Sequence, residues 1–323
     1  MRRRLFALGL GSVLASTAAS AQPAAYPEKP VRLVVGFAAG GPSDLVARAF
    51  AAQAGKALSQ SFIVENKPGA NAVLATEAVA AAKPDGLTLL SAATNHTMIP
   101  ALYGTRIRFD AARSFAPVCT LAASATVLVV GPKLPVRTVR EFLERVRATP
   151  GSATYASPGQ GSSPHLATEQ FAKLAGVSMV HVPYKGAAPA MTDLIGGQVD
   201  LSFATLGSVL PHLKSGKLTA LAVASRQRSS LLPQVPTFEE QGIGGFVVDT
   251  WYGLLAPAGT PPGPIAALTD AANAFATSPE VRERLAKTGL EPHAVCGDAF
   301  ASQIVREIDT NTRIARDLNL KTE

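Results

Sequence analysis

Cysteine is scarce in this 323-residue chain: Cys119 and Cys296 are the only two. They stand far apart and offer no metal-ligand spacing, so a zinc or iron–sulfur site built on cysteine is excluded. An oxidising compartment would let them pair, but two buried unpaired thiols fit the sequence equally well. Aromatic residues make up 6% of the chain, and no Lys/Arg cluster has aromatics interleaved, which argues against nucleic acid as a partner. Beyond the N-terminus no apolar run reaches the roughly 20 residues needed to span a bilayer, so the body of the chain is expected not to be membrane-embedded. Three chemical fingerprints are also missing. Gly159-Gln160-Gly161 is followed by Ser-Ser-Pro, which breaks the dinucleotide pattern, and the Gly-Lys-Ser/Thr end of a P-loop is absent. The Gly-x-Ser-x-Gly elbow of serine hydrolases does not occur.

The first 21 residues form a pattern of their own. Arg2, Arg3 and Arg4 precede the short apolar run Leu5–Ala15, and Ala19-Ser20-Ala21 offers a small-residue cleavage site. This is the tripartite layout of a secretory signal peptide. Cleavage is expected before Gln22, a residue type that does not support a lipid anchor, and both Sec and twin-arginine export remain open. Removing residues 1–21 lowers Lys+Arg from 30 to 27 against 23 acids, so the net charge falls from +7 to +4. That is only a mild bias toward anionic partners. About 300 remaining residues suit two domains.

Strand and helix signals then alternate. Val31–Phe37, Phe62–Glu65, Leu87–Ala92, Thr126–Gly131, Ala153–Ser157, Met179–Pro183, Val199–Ala204 and Leu218–Ala224 read as strands. Helices are expected at Asp44–Leu58, Ala72–Ala82, from Thr138, and at Pro164–Ala175, Pro189–Ile195 and Gly207–Ser215. The Thr138-Val139-Arg140-Glu141 string is a capping box. Three more helices, Pro264–Thr277, Pro279–Gly289 and Asp298–Leu318, close the chain. Such alternation predicts an α/β fold of mostly parallel sheets with helices on both faces.

One unit occurs twice. Strand Val31–Phe37 runs through Ala38-Ala39-Gly40-Gly41-Pro42-Ser43 into a helix, and strand Ala153–Ser157 runs through Pro158-Gly159-Gln160-Gly161-Ser162-Ser163 into another. Each sets a Gly-rich turn between the carboxyl end of a strand and the amino end of a helix. Glycine lets backbone approach a ligand closely, and the helix start leaves N–H donors without intrahelical partners. Together they make anion-binding corners, at the sheet edge where ligands sit in open α/β folds. A single such turn is more often only a turn. Asp44 either caps its helix or receives a ligand ammonium group. His165 either donates to a ligand or covers the helix end. His181, within an apolar strand, reads as structural, and Lys185 as solvated.

The motifs carrying a wider likeness are Tyr26-Pro27-Glu28-Lys29-Pro30 running into Phe37-Ala38-Ala39-Gly40-Gly41-Pro42-Ser43-Asp44, then Val64–Ala70, Pro84–Leu90 and Phe115–Val118. Ser157–Leu166, His181–Gly186, Leu232–Thr237 and Trp251-Tyr252-Gly253 continue it. In this order they resemble the Bug-type periplasmic solute-binding receptors of tripartite tricarboxylate transporters, along essentially the whole chain after residue 21. The resemblance implies a two-lobed, type II-like periplasmic binding protein that closes like a flytrap. Residues 22–122 and 249–323 would form lobe 1, and residues 123–248 lobe 2. It implies a monomer that captures a small carboxylate (a di- or tricarboxylate, an amino acid or an aromatic acid) for membrane transporter subunits or a membrane sensor. No catalysis, cofactor or metal is implied. Carried over residue by residue, the ligand positions are Phe37, Ala38, Gly41, Ser43 and Asp44 in the first lobe. In the second they are Ser157, Gly161, Ser162 and His165, with Tyr184 near the cleft, Asp200 and Thr205 around the end of a strand, and Asn95 on a third loop. Ala39 stands where proline is usual, and Asn71-Ala72 where a Gly pair is common. The rival reading is an envelope hydrolase using Ser162 or Ser163 with His165. Two residues apart at a helix start, Ser163 and His165 do not face each other.

Overall fold

The computed structural model describes residues 26–317 and residue 320; the expected signal peptide lies outside them. The chain lays down β1 (Val31–Val35), α1 (Pro42–Ala57), β2 (Phe62–Asn66), α2 (Val73–Ala80), β3 (Thr88–Ala93) and α3 (Ile99–Tyr103) before the long strand β4 (Phe115–Val130). Then follow α4 (Val139–Ala148), β5 (Thr154–Ser157), α5 (Ser163–Ala175), β6 (Val180–Pro183), α6 (Ala187–Ile195), β7 (Leu201–Thr205), α7 (Leu206–Lys214) and β8 (Thr219–Val223). The chain returns through β9 (Asp249–Pro257) and finishes with α8 (Pro262–Thr277), α9 (Pro279–Ala286), β10 (Glu291–Pro292) and α10 (Gly297–Asp317). Local signals set many of these boundaries. Thr138 accepts from the Glu141 N–H at the start of α4 and Ser278 from the Val281 N–H at the start of α9, while Pro42, Pro164 and Pro279 occupy first-turn positions, where no N–H is missed.

Strand order is β2-β1-β3-β9-β4-β7-β5-β6, with β8 and β10 also on β4. The predicted α/β fold is present, with helices covering both faces. The predicted parallel order holds for β2-β1-β3 and for β6-β5-β7. It is corrected in the middle, where β4 and β9 run antiparallel to each other and to their neighbours. The first half of β4 and all of β9 carry no clear strand signal in the sequence, for physical reasons. Pro117 cannot donate a ladder hydrogen bond, and the β4–β9 register shifts at Pro117/Cys119 and again at Thr120/Ala122. Gly253 interrupts the apolar run of β9, and a Cβ at that residue would lie 2.8 Å from Phe300 Cζ.

Alternation along β4 feeds two cores in the second half of the sheet. Leu128 and Val130 join Phe142, Phe171 and Phe203 on one face, and Val127 and Val129 join Met191, Leu194 and Leu210 on the other. In the first half Leu33 and Leu89 pack with Phe50 and Phe275, and Val34 and Leu90 pack with Phe300 and Ile304. Each such fully buried side chain contributes roughly 1.5–3 kcal/mol of transfer free energy. The two cysteines do meet: Cys119 of β4 and Cys296, just before α10, form a disulfide. It ties the last helix to the strand shared by both halves.

Candidate functional site

The parallel strands β1, β3, β5 and β7 end at a cleft between the two halves of the sheet. Its walls are Phe37, Gly41, Pro42 and Ser43 at the start of α1, and Ala93 and Asn95 after β3. Opposite stand Pro158, Ser162, Ser163 and Pro164 at the start of α5, Ala187 at the start of α6, and Thr205 at the end of β7, with Thr250 and Tyr252 of β9 forming the floor. About 430 Å³ within it is free of protein atoms, open solvent at the mouth included. No charged side chain lines it. Three helix amino ends converge there, and neither α1 nor α6 is capped by its own preceding side chain. Three lining residues carry a buried polar atom with no hydrogen-bond partner within the protein: Asn95 Oδ1, Ser163 Oγ and Thr250 Oγ1. Leaving a buried polar atom unpaired costs roughly 1–3 kcal/mol, so a polar occupant that pairs them gains that amount back.

Six of the sequence-predicted residues line this cleft: Phe37, Gly41, Ser43, Asn95, Ser162 and Thr205. The other seven do not, and each has identifiable work elsewhere. The Ala38 N–H donates across the cleft edge to the Lys185 carbonyl at 3.0 Å. Asp44 is turned from the cleft: its carboxylate accepts from the Gly40 N–H (3.0 Å), Arg48 Nε (2.9 Å) and Asn66 Nδ2 (3.0 Å). Burial pushes its carboxyl pKa upward, but the Arg48, Gly40 and Asn66 donors outweigh this and hold it below the ordinary value. Asp44 therefore braces the β1–α1 loop and is not among the cleft-lining residues.

Gly161 has φ +77° and donates its N–H to His165 Nδ1 at 2.9 Å. His165 is thus an acceptor behind the loop, sandwiched with Tyr155 and His181, the two imidazoles stacked at 4.1 Å. Burial, and secondarily His181, press the His165 pKa down to about 3, and burial brings His181 to about 4. Ser157, fully buried, is hydrogen-bonded to His181 Nε2 at 2.6 Å and donates to the Gly159 carbonyl at 3.1 Å. Tyr184 donates to Asp193 Oδ2 at 2.7 Å and does not line the cleft. Asp200 sits at the opposite end of β7 from Thr205, about 16 Å away at the rise of a strand; its carboxylate takes the Thr154 N–H and hydroxyl. Asp200 and Thr205 flank one strand rather than sharing one end of it, so only Thr205 reaches the cleft.

Eight lining residues are not among the ligand positions carried over from the sequence. Pro42, Pro158, Ser163 and Pro164 lie inside the two Gly-rich corners, and Ala187 follows Gly186 as a third strand-to-helix corner of the same kind. Ala93 ends β3, one residue past the predicted strand Leu87–Ala92. Thr250 and Tyr252 belong to β9, whose course no local signal reveals. Among the described residues no group of three His, Cys, Asp or Glu side chains is placed to hold a metal ion, and no helix is long and apolar enough to cross a membrane.

Residues 46–320 match the sequence profile described as Tripartite tricarboxylate transporter family receptor. The protein BugT of Bordetella pertussis is 33% identical over 322 residues, covering 99% of each chain. Two solved structures share the fold over nearly their whole length. R. palustris Rpa4515, solved with adipate, is 31% identical with a TM-score of 0.88, covering 92% of this chain and 100% of its own. MatC from Rhodopseudomonas palustris, solved with bound malate, is 32% identical with a TM-score of 0.83, covering 90% of this chain and 99% of its own. The chain belongs to the Bug-type receptors of the tripartite tricarboxylate transporter family.

Proposed function

We propose that this protein is a periplasmic receptor that closes its two lobes on a small carboxylate and delivers it, unaltered, to membrane transporter subunits. The observation that carries this is the chemistry of the cleft. An anion there meets the amino ends of α1, α5 and α6 together with unpaired hydroxyls of Ser163 and Thr250, and meets no carboxylate. Each helix end favours a negative charge by typically about 0.3–2 kcal/mol. Relatives of 31% and 32% identity hold adipate and malate. Catalysis is disfavoured because His165, the base of the rival reading, accepts the Gly161 N–H on Nδ1 and is not a cleft-lining residue, and Ser162 caps α5, donating to the Gly159 carbonyl at 2.7 Å.

The lobes would be residues 22–122 with 249–323, and residues 123–248. Supporting this division, β4 changes partners from β9 to β7 and β8 between Ala125 and Thr126, and β9 begins at Asp249. The signal-peptide pattern supports export with cleavage after Ala21, and the receptor is proposed to act as a monomer. Thermal-shift and calorimetric titration of the chain from Gln22 with C3–C8 carboxylic acids tests the reading. At least one acid should bind saturably by calorimetry and raise the melting temperature with concentration, the stabilisation reaching roughly 2.7 kcal/mol at 100 times its Kd. A flat response across the acids, with turnover of ester substrates abolished by Ser162→Ala, would overturn it.

A further inference from the structure

Helix α10 turns Phe300, Ile304, Ile308 and Ala315 toward the body of the protein, a stripe at the spacing of one helix face. Glu307 stands on the same stripe, three residues after Ile304, where an apolar residue would be ordinary. It is half-buried, and its carboxylate takes neutral donors. Trp251 Nε1 lies 3.1 and 2.9 Å from its two oxygens, Gln303 Nε2 at 2.8 Å and Thr97 Oγ1 at 3.1 Å. Among the described residues no cation forms an ion pair with it. An acid half-buried in this way adds little stability, because well-packed apolar residues do as well or better. What it does supply is directed hydrogen bonds, and they go to two separate pieces of the cleft wall.

The first piece is β9. Trp251 lies between the floor residues Thr250 and Tyr252, and strand alternation turns its side chain to the opposite face of the sheet, edge-on to Phe300 of α10. The second is the 3-10 turn Thr94–Thr97 after β3, which carries the lining residue Asn95. Thr97, fully buried, divides its one hydroxyl proton between Glu307 and the Thr94 carbonyl at 2.8 Å, and accepts from Asn311 Nδ2 at 2.8 Å. Thr94 Oγ1 in turn accepts the Trp251 backbone N–H at 2.9 Å. The contacts close a ring: Glu307 to Trp251, Trp251 to Thr94, Thr94 to Thr97, and Thr97 back to Glu307. Resting on the receptor reading above, we infer that Glu307 is a positioning residue of the cleft. Without lining it, Glu307 locks the Asn95 turn against the Thr250–Tyr252 floor. With Glu307 removed the ring is open, and past the end of the β3–β9 ladder at Ala93 its remaining link is the Thr94 hydroxyl. A binding site whose supporting residues let its walls sit about 1 Å loose loses affinity even though every contact residue is present.

Isothermal titration with the C3–C8 carboxylic acids, malate and adipate among them, run beside scanning calorimetry, tests the assignment. Glu307→Leu removes both links, and the tightest-binding acid should lose about fivefold or more in affinity. Glu307→Gln keeps both, its Oε1 accepting from Trp251 and Gln303 and its amide donating to Thr97 Oγ1, and should bind within about twofold of the wild type. Trp251→Phe breaks one link by another route and should also weaken binding. Combined with Glu307→Leu it should cost less than the sum of the two, because both act on one network. Ile304→Val trims the same helix face without touching the ring, so it should lower the melting temperature and leave affinity unchanged. Glu307→Leu with the affinity of the wild type overturns the inference and leaves the receptor reading standing. So does Glu307→Gln losing as much as Glu307→Leu, or both binding tighter, which would mean that the ligand feels the charge and not the links. A loss in Ile304→Val equal to that in Glu307→Leu overturns it too, by making the effect one of stability alone. If Glu307→Leu does not fold, Trp251→Phe with unchanged affinity is the refuting result. No binding of any of these acids by the wild type refutes the receptor reading and this inference with it.

Discussion

Substituting Gly161 by alanine separates the folding of the second lobe from closure of the cleft. A Cβ built on Gly161 would lie 1.9 Å from Leu102 Cδ1 and 3.0 Å from Asn71 Nδ2. Both neighbours precede β4 in the chain, so the collision is across the seam between the halves. Two costs follow. The φ of +77° is strained for alanine by roughly 1–2 kcal/mol whether the cleft is open or closed. That cost lowers the melting temperature by a few degrees, at roughly 2–4 °C per kcal/mol for a large domain. On the two-lobed reading proposed above, the overlap with Leu102 is relieved when the lobes part, so it weighs only on the closed form. Overpacking of this kind costs typically about 1–3 kcal/mol, which is a loss of roughly 5–150-fold in ligand affinity. Titration calorimetry gives the affinity and differential scanning calorimetry the stability. Adding Leu102→Val removes the colliding methyl and should recover most of the affinity while leaving the φ strain in place. Gly161→Ala with wild-type affinity, or a double variant that binds no better than the single one, would refute the cross-seam argument.

The Cys119–Cys296 bridge closes a loop with a sequence separation of 177. Loop-closure entropy puts its contribution at about 5 kcal/mol at most, so Cys119→Ala/Cys296→Ala should melt clearly lower, and reductant should no longer shift its melting curve. Acid should loosen the loop behind the cleft. His165 and His181 have pKa values lowered from 6.5 to about 3 and about 4, so their neutral forms stabilise the fold fully above pH 6.5, and that contribution is lost as pH falls from 6.5 toward 3–4. Melts at pH 7.5 and 4.5 should differ by on the order of 2–3 kcal/mol per histidine from this source, and a His165→Gln/His181→Gln variant should show a shallower decline; an equal decline would assign acid sensitivity elsewhere. Asp44→Asn should weaken binding of every acid by a similar factor, because it slackens the loop held by Arg48 and Asn66. Asp200→Asn should lower stability without changing affinity, and a selective loss of one ligand in either variant would contradict these placements.

The likeness carried by the Gly-rich corners is readable because each corner is local: strand, turn and helix start lie within about a dozen residues, and glycine and proline mark the turns. Phe37, Gly41, Ser43 and Ser162 reach the cleft for that reason. The roles of Asp44 and His165 stay open in the sequence because a short polar side chain at a helix start has partners on either side, and only packing selects one. Arg48 and Asn66 claim Asp44, and the Gly161 N–H claims His165. The rule that ligands sit at the carboxyl ends of strands favours Thr205, just past Val199–Ala204, over Asp200 near its start, and the structure places only Thr205 on the cleft.

By itself the sequence determined the alternation of strands and helices, the two glycine corners and the family, since all of these rest on short-range periodicity and ordered motifs. The tertiary structure decided the rest: the antiparallel pair β4 and β9 at the centre, the disulfide, and the cleft floor of Thr250 and Tyr252. Each of these is a contact between residues separated by a large part of the chain. Contacts of that range are selected by which faces bury together, and no local pattern encodes them.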